Sequence, residues 1–490
     1  MNIVVIAGSP KGETSVTLQY VRYLEVHHPE HRWEVVHVAS RIRALERRRA
    51  LFDEVIERVQ TADLVLWAFP VYVLLVPAGY KRFIELIGER GAGAAFAGKY
   101  AASLSTSIHF HDHCPHDYLR AVSEDLGMRF VGSHSPEMHD LEKPEGQAKL
   151  LAFGRTLLAA VDRRDAVPRR YAKLDSTSWA YQPGAASASV PTGARRVVIL
   201  HDAAAGDDNL RAMVGRLRAS FDGPVTVHDL SAVEIKGNCL GCLRCGHANR
   251  CAYEGKDDFI EFYRQEIMTA DVLVFAGAVV DRHWSSRWRQ FFDRAFFKTH
   301  QPSFRGKQLA FVVSGPLAQL ANLQEVLTGY AMWQEANLVG FVSDEVADSV
   351  ELDAQLDALA ARLMHAAREQ YVQPFDFRGV GGAKIFRDHI FGPLRFVFTA
   401  DHRYYTKRGY YDFPTRSWRQ RLLNFVLLLL FRVPRIRREF ERRIKSEMIA
   451  PVRRQVERAA AQRGMLRPTQ SGSALPVRPG GARQQQPASV

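Results

Sequence analysis

Residues 2–17 read Asn2-Ile3-Val4-Val5-Ile6-Ala7-Gly8-Ser9-Pro10-Lys11-Gly12-Glu13-Thr14-Ser15-Val16-Thr17, an unbroken apolar run followed by a turn of small and hydroxyl-bearing residues and the opening of a helical pattern. An unbroken apolar run suits a strand buried on both faces, the environment of a parallel sheet covered by helices. The turn has the chemistry of an anion cradle. Small residues let the main chain come close, hydroxyls and free amides donate, and a helix N-terminus adds about 0.3–1 kcal/mol per negative group. Neither G-x-x-x-x-G-K-[ST] nor G-x-G-x-x-G is present, which disfavours an NTPase or a dinucleotide-binding domain of the usual kind. A capped strand-to-helix turn without a ligand is the plainer alternative.

The same rhythm runs outward from this turn and then repeats. The pattern predicts a helix near 15–28, a strand over 33–38, a helix near 48–60, a strand over 63–69, a helix near 78–90 and a strand over 100–105. A second series predicts strands over 196–200, 225–229, 271–275 and 308–313, with helices near 208–220, 257–269 and 286–297. Strands alternating with helices indicate parallel sheets with helices on both faces. The expected fold class is α/β, two doubly wound parallel-sheet domains in tandem over 1–162 and 195–375. A linker rich in Arg, Pro, Ser and Gly joins them over 163–194. Beyond them Phe377-Arg378-Gly379-Val380-Gly381-Gly382 reads as a turn-rich connection.

Charge divides the chain differently. The net +13 is concentrated in residues 376–490, which hold 24 of the 66 Lys and Arg but 8 of the 53 Asp and Glu, leaving residues 1–375 slightly acidic. Any argument for a polyanionic partner therefore belongs to the last quarter, expected as a basic helical extension over 376–463 and a disordered tail over 464–490. Within it, Leu422-Leu423-Asn424-Phe425-Val426-Leu427-Leu428-Leu429-Leu430-Phe431 is the most apolar run. As a helix it reaches about 15 Å against a hydrocarbon core of about 30 Å, too short to span. Arg416, Arg419 and Arg421 precede it and Arg432, Arg435, Arg437 and Arg438 follow, which permits peripheral contact with anionic lipid through 416–463. Packing on its own domain or in a homodimer is the other reading; nucleic acid is not expected, since no recognition motif accompanies the charge. With no secretory signal and too few cysteines for a secreted disulfide framework, the expected location is cytoplasmic, with the inner membrane face as an extension of it.

Four of the five cysteines lie close together as Cys239-x₂-Cys242-x₂-Cys245-x₅-Cys251. Four thiolates on one short loop suit a compact four-iron cluster, whereas structural zinc usually joins two knuckles a dozen or more residues apart. Zinc and free thiols stay open as alternatives. A second thiol-bearing loop, His109-Phe110-His111-Asp112-His113-Cys114, has a spacing that matches no closed metal site, and hydrogen bonding beside a ligand is the preferred reading there.

The first turn, taken together with Phe69-Pro70-Val71-Tyr72-Val73-Leu74-Leu75-Val76-Pro77-Ala78-Gly79-Tyr80-Lys81-Arg82-Phe83-Ile84, resembles the flavodoxin-like NAD(P)H-dependent FMN reductase family over roughly residues 1–140. The resemblance implies an FMN cofactor, with Ser9, Lys11, Thr14, Ser15 and Thr17 as phosphate ligands and Pro70, Val71 and Tyr72 beside the ring. Thr106 and Ser107 belong to the third loop that would touch it. Ile235-Lys236-Gly237-Asn238-Cys239 and Lys256-Asp257-Asp258-Phe259 around the cysteines resemble the iron–sulfur flavoproteins, which implies a [4Fe-4S] cluster on Cys239, Cys242, Cys245 and Cys251. The second domain departs from the pattern at His201-Asp202-Ala203-Ala204-Ala205-Gly206-Asp207-Asp208-Asn209, whose carboxylates would repel a phosphate. FMN is therefore expected in the first domain and the cluster in the second, unless the flavin is shared across their interface. The implied activity takes electrons from NAD(P)H through FMN to the cluster or to a small-molecule or protein acceptor, chemistry that belongs to cofactors and asks for no catalytic triad. The rival is a non-enzymatic flavodoxin-like scaffold tethered by its basic tail.

Overall fold

The computed structural model describes residues 1–175, 179–186, 189–412 and 417–462. Two five-stranded sheets, parallel throughout, form its core. The first is built from β1 (Asn2–Ala7), β2 (Arg32–His37), β3 (Leu64–Pro70), β4 (Tyr100–Thr106) and β5 (Arg129–His134) in the order β2-β1-β3-β4-β5. The second uses β6 (Val197–His201), β7 (Val225–Asp229), β8 (Val272–Ala278), β9 (Gln308–Ser314) and β10 (Asn337–Ser343) in the order β7-β6-β8-β9-β10. Both are the doubly wound 2-1-3-4-5 order, with its switch point beside the first and third strands. The central strands are buried along nearly their whole length because helices cover both faces, and that is why they read as continuous apolar runs.

Several elements differ from the sequence reading. Each half has a fifth strand that was not predicted: β5 (RFVGSH) and β10 (NLVGFVS) sit at sheet edges, are only partly buried, and so lack the unbroken apolar signature. The helix expected over 257–269 is a short α-helix, Phe259–Phe262, continued by a π-helical turn, Tyr263–Ile267. The supposed turn-rich connection at 377–382 is instead the start of a helix, Phe377–Phe391, capped by the Asp376 side chain accepting from the Arg378 amide. Its glycines serve packing: a Cβ at Gly382 would lie 2.4 Å from the Phe110 ring and one at Gly379 2.6 Å from Phe375. Residues 376–411, assigned from their charge to the basic extension, belong to the compact body Met1–Tyr411, where Phe386, Ile390, Phe398 and Tyr405 are buried. Net charge could not show this, because Lys384, Arg403, Lys407 and Arg408 are exposed while Phe386, Ile390, Phe398 and Tyr405 pack.

The two halves meet through equivalent helices, Ala78–Glu89 of the first and Ser286–Ala295 of the second. Lys81 is fully buried there, with Nζ 2.8 Å from Glu85 Oε1 and 3.0 Å from Asp281 Oδ2, while Tyr118 donates to the same Asp281 oxygen at 2.9 Å. Burial opposes the Lys81 charge, yet Asp281 and Glu85 hold its ammonium above the ordinary lysine value. Removing one member of such a buried set would strand the others, at roughly 3–5 kcal/mol.

The unit Asp412–Val490 contains two described helices, Trp418–Leu430 and Pro434–Gln462, whose Phe431 and Phe440 flank the connection with ring centroids 4.6 Å apart. Trp418, Leu422, Leu423, Phe425 and Val426 to Leu430 are all exposed. No helix among the described residues is long and apolar enough to cross a membrane. The tail at 464–490 and Arg416 lie outside the described residues.

Candidate functional site

Parallel pairing of β1, β3 and β4 brings their carboxyl ends side by side, so the turns that follow them share one rim. The first turn must pass beneath Tyr80: a Cβ on Gly8 would come within 2.8 Å of that ring and 2.9 Å of Phe69 Cβ, so glycine is required. Ser9 Oγ then accepts from the Lys11 amide at 3.2 Å, Gly12 takes φ +56°, and helix Val16–His27 begins after Ser15. Ser15 stands at the N-cap position without capping the helix by its side chain, which leaves its buried hydroxyl and the first helical amides available. Lys11 makes no side-chain ion pair among the described residues. Thr17 and Thr106 hydroxyls lie 2.6 Å apart, tying the first rim to the third.

The second rim segment is strained and braced from the other half. Val73 (φ +28°) and Leu74 (φ +65°) adopt left-handed backbone, costly for such side chains. Arg289 holds them, donating to the Val73 carbonyl at 2.8 Å and the Tyr72 carbonyl at 2.9 Å, while Asp293 accepts from the Ala78 amide at 2.7 Å. Tyr72 Oη is shielded from solvent and has no hydrogen-bond partner among the described residues. Burial, with Cys239 beside it, pushes that phenol well above its usual range.

These rims border a cavity of about 340 Å³ whose opposite wall is the cysteine loop of the second half. Gly241 (φ +61°) fits directly against the first half: a Cβ there would meet Tyr72 Oη at 2.0 Å and Lys11 Cε at 2.8 Å. The loop is anchored from below by Arg294, which donates to the Gly237 carbonyl at 2.9 Å and forms a buried pair with Asp257 at 2.8 and 2.9 Å. Phe386 of helix Phe377–Phe391, and Leu394, Val397 and Phe398 of the connection that follows it, line the cavity as well.

Nine of the ten residues expected around FMN line this cavity: Ser9, Lys11, Ser15, Thr17, Pro70, Val71, Tyr72, Thr106 and Ser107. Thr14 does not; it is exposed, and its hydroxyl donates to the Lys11 carbonyl at 2.9 Å, where it shapes the turn. Cys239, Cys242, Cys245 and Cys251 all line the same cavity, and none is in a disulfide. Burial pushes Cys239 up to about 12 against the opposing Gly241 amide, and Cys245 up to about 12 with Cys251 and Cys242 adding to it. Sequence reasoning assigned no site role to Arg289, Asp293 or Arg294, although Phe291-Phe292-Asp293-Arg294 resembles the family's ring-side helix. Their signal was present as charged residues interleaved with Trp288, Phe291 and Phe292 on one helix, a pattern with no solvent face to spare.

The second half keeps no such cradle. The Ala204 amide is taken by Asp207 Oδ2 at 2.7 Å, and Arg211 donates to the Ala203 and Ala204 carbonyls. Asp202 projects into the space next to Ser285, whose hydroxyl donates to it.

The NADPH-dependent FMN reductase family matches the chain at residues 1–140 and again at 197–344, over half of its length and coincident with the two sheets. This chain belongs to that family. It is a tandem member, an FMN-containing oxidoreductase with both family segments in one polypeptide. Among solved structures, the apo form of the NADH:FMN oxidoreductase EMOB is 23% identical, covering 32% of this chain and 89% of that one, with a TM-score of 0.29. FerB, an NAD(P)H:(acceptor) oxidoreductase from Paracoccus denitrificans, is 16% identical, covering 33% of this chain and 97% of that one, with a TM-score of 0.28. The search of curated proteins returns no match.

Proposed function

We propose that this reductase binds one FMN at the carboxyl ends of the first sheet, against a cysteine loop that carries a [4Fe-4S] cluster, and passes electrons from NAD(P)H through both to a small-molecule or protein acceptor. The observation that carries the reading is the single cavity onto which the first-half turns and all four cysteines open. FMN, when bound, supplies the conversion between two-electron donors and one-electron acceptors.

The residues fit that cofactor. Ser9, Ser15 and Thr17 with the first amides of helix Val16–His27 offer hydroxyl and N–H donors to a phosphate, and Lys11 offers a charge that no described residue neutralises. Tyr72 has a shielded hydroxyl still in need of a partner. Gly241 lets the second half close against Lys11 and Tyr72, which excludes water between the two. On the cysteine side, burial keeps Cys239 and Cys245 protonated at neutral pH, so metal capture must displace those protons.

The first-half turns and the cysteine loop of the second half supply facing walls of the cavity within one chain, so the reading does not depend on a homodimer. For the tail, the exposed apolar side chains of helix Trp418–Leu430 between arginines support contact with an anionic membrane surface.

Anaerobic purification followed by an absorption spectrum and flavin and iron analysis tests the reading. One FMN and about four irons per chain are expected, with NAD(P)H bleaching the flavin band. A colourless protein free of flavin would overturn the whole reading, and FMN without iron would overturn the cluster.

A further inference from the structure

We propose that His111, His113, Cys114 and Glu325 form a zinc site outside the flavin cavity that straps the third rim loop of the first half to helix Ala321–Trp333 of the second. The loop after β4 turns sharply, with His109 at φ +64° and His111 at φ +51°, before helix His113–Asp125 begins. That path brings one donor atom from each of His111, His113 and Cys114 within 4.8 Å of the others. Cys114 Sγ stands 3.5 Å from His113 Nε2 and 3.9 Å from His111 Nδ1. A tetrahedral zinc with Zn–S of about 2.3 Å and Zn–N of about 2.0–2.1 Å sets sulfur-to-nitrogen edges of about 3.5 Å. The two sulfur edges are therefore near the size such a site needs before any ion is present.

The fourth donor comes from the other half. Glu325 Oε1 lies 3.4 Å from the same His111 Nδ1 that faces the thiol. Its second oxygen accepts from Arg378 Nε at 2.8 Å, and the neighbouring Asn322 donates to the Cys114 carbonyl at 3.0 Å. Outer partners of this kind orient metal ligands and hold them ready. The helix is shaped to admit the imidazole, because a Cβ on Gly329 would come within 2.8 Å of His111 Cε1. Cys114 is fully buried and His111 nearly so, while His113 is exposed, so an ion enters past His113 and draws it inward to close the widest edge. Two imidazoles, a thiolate and a carboxylate are a donor set that zinc accepts.

Such an ion would stiffen the wall of the flavin cavity without touching its contents. Phe110, between the ligands' loop and the cavity, packs 4.5 Å from the Phe386 ring and 6.0 Å from that of Trp333. No local pattern points to Glu325, which is more than 200 positions away and comes near only through the packing of the two halves.

The test is zinc content by mass spectrometry on the full-length protein, equilibrated with micromolar zinc and freed of unbound metal, beside H113A, C114S and E325Q. H113A and C114S are each expected to hold one zinc fewer per chain than the parent, whatever the Cys239–Cys251 loop retains, and E325Q to bind that zinc at least tenfold more weakly. Because His113 is exposed, H113A keeps the fold, checked by a melting temperature equal to the parent's in chelator. Equal zinc in the parent and H113A, or equal affinity in E325Q, would overturn the proposal.

Discussion

Arg289 of the second half donates its Nη2 to the main-chain carbonyl of Tyr72 in the first, at 2.9 Å, so the segment expected to lie along the flavin is held by a side chain more than 200 residues away. The guanidinium is 2% exposed and is itself held by Asp293, one helical turn on.

Replacing Arg289 by Met is therefore expected to act in two ways. The buried Asp293 carboxylate loses its partner, at roughly 3–5 kcal/mol of stability, and the strained backbone at Val73 and Leu74 loses its brace. FMN should be retained at least tenfold less well. The double variant R289M/D293N should recover part of the stability but not the flavin affinity, because only the first defect is removed. Thermal melts and FMN titration separate the two; recovery of both together would show that Arg289 acts through stability alone.

Lys11 and Ser15 face the end of the cavity nearest the start of helix Val16–His27. If they hold a phosphate, K11A and S15A should weaken FMN binding by about 10–100-fold, the range of one charge-assisted hydrogen bond of about 1.5–3 kcal/mol, and should leave riboflavin binding unchanged because it lacks that group. Equal losses for both flavins would place the phosphate elsewhere.

The cysteine loop gives a complementary result. C242A should abolish iron while FMN stays bound, since Cys242 is exposed and its loop is anchored independently by Arg294. G241A should disturb both, because the added methyl would overlap Tyr72 and Lys11. Iron and flavin analysis of the two variants, purified anaerobically, makes the comparison.

These sites were unequally legible in the sequence. The strands β1, β3 and β4 and their turns are local in sequence and follow from apolar runs ending in small residues, and the family's two segments coincide with them. The edge strands β5 and β10 were hidden because a half-exposed strand at a sheet edge has no continuous apolar run. The cavity's second wall was hidden for another reason. Gly241 against Tyr72, Arg289 on Val73 and Phe386 on Phe110 are contacts between segments distant in sequence, and only tertiary packing creates them.

Asp202 makes a pH prediction. Burial raises its carboxyl from the ordinary 3.8 to about 7, and one oxygen has no partner. Between pH 4 and 7 the folded chain thus binds a proton that the unfolded chain has released, so stability is lost as pH rises through that window. D202N, which keeps the bond from Ser285, should be more stable than the parent at pH 8 by up to about 4 kcal/mol, with the difference vanishing near pH 4. Melts of both proteins across that range check it; a constant difference would show that Asp202 does not titrate there.

The tail supplies the last prediction. Leu422, Leu423, Phe425 and Leu428 are each more than half exposed on a helix of 13 residues, and Arg419, Arg421, Arg432 and Arg435 flank the run. Burying such side chains in a bilayer interface is worth about 25 cal/mol per Å², and each nearby arginine adds about 1 kcal/mol on an anionic surface. The full chain should therefore sediment with vesicles containing phosphatidylserine, less so with pure phosphatidylcholine, and less again as salt rises. Removing residues 412–490, which lie outside the compact body, should abolish sedimentation and leave flavin content unchanged. Sedimentation by the truncated chain would move the membrane contact to the compact body, and none by the full chain would leave the apolar helix to a protein partner.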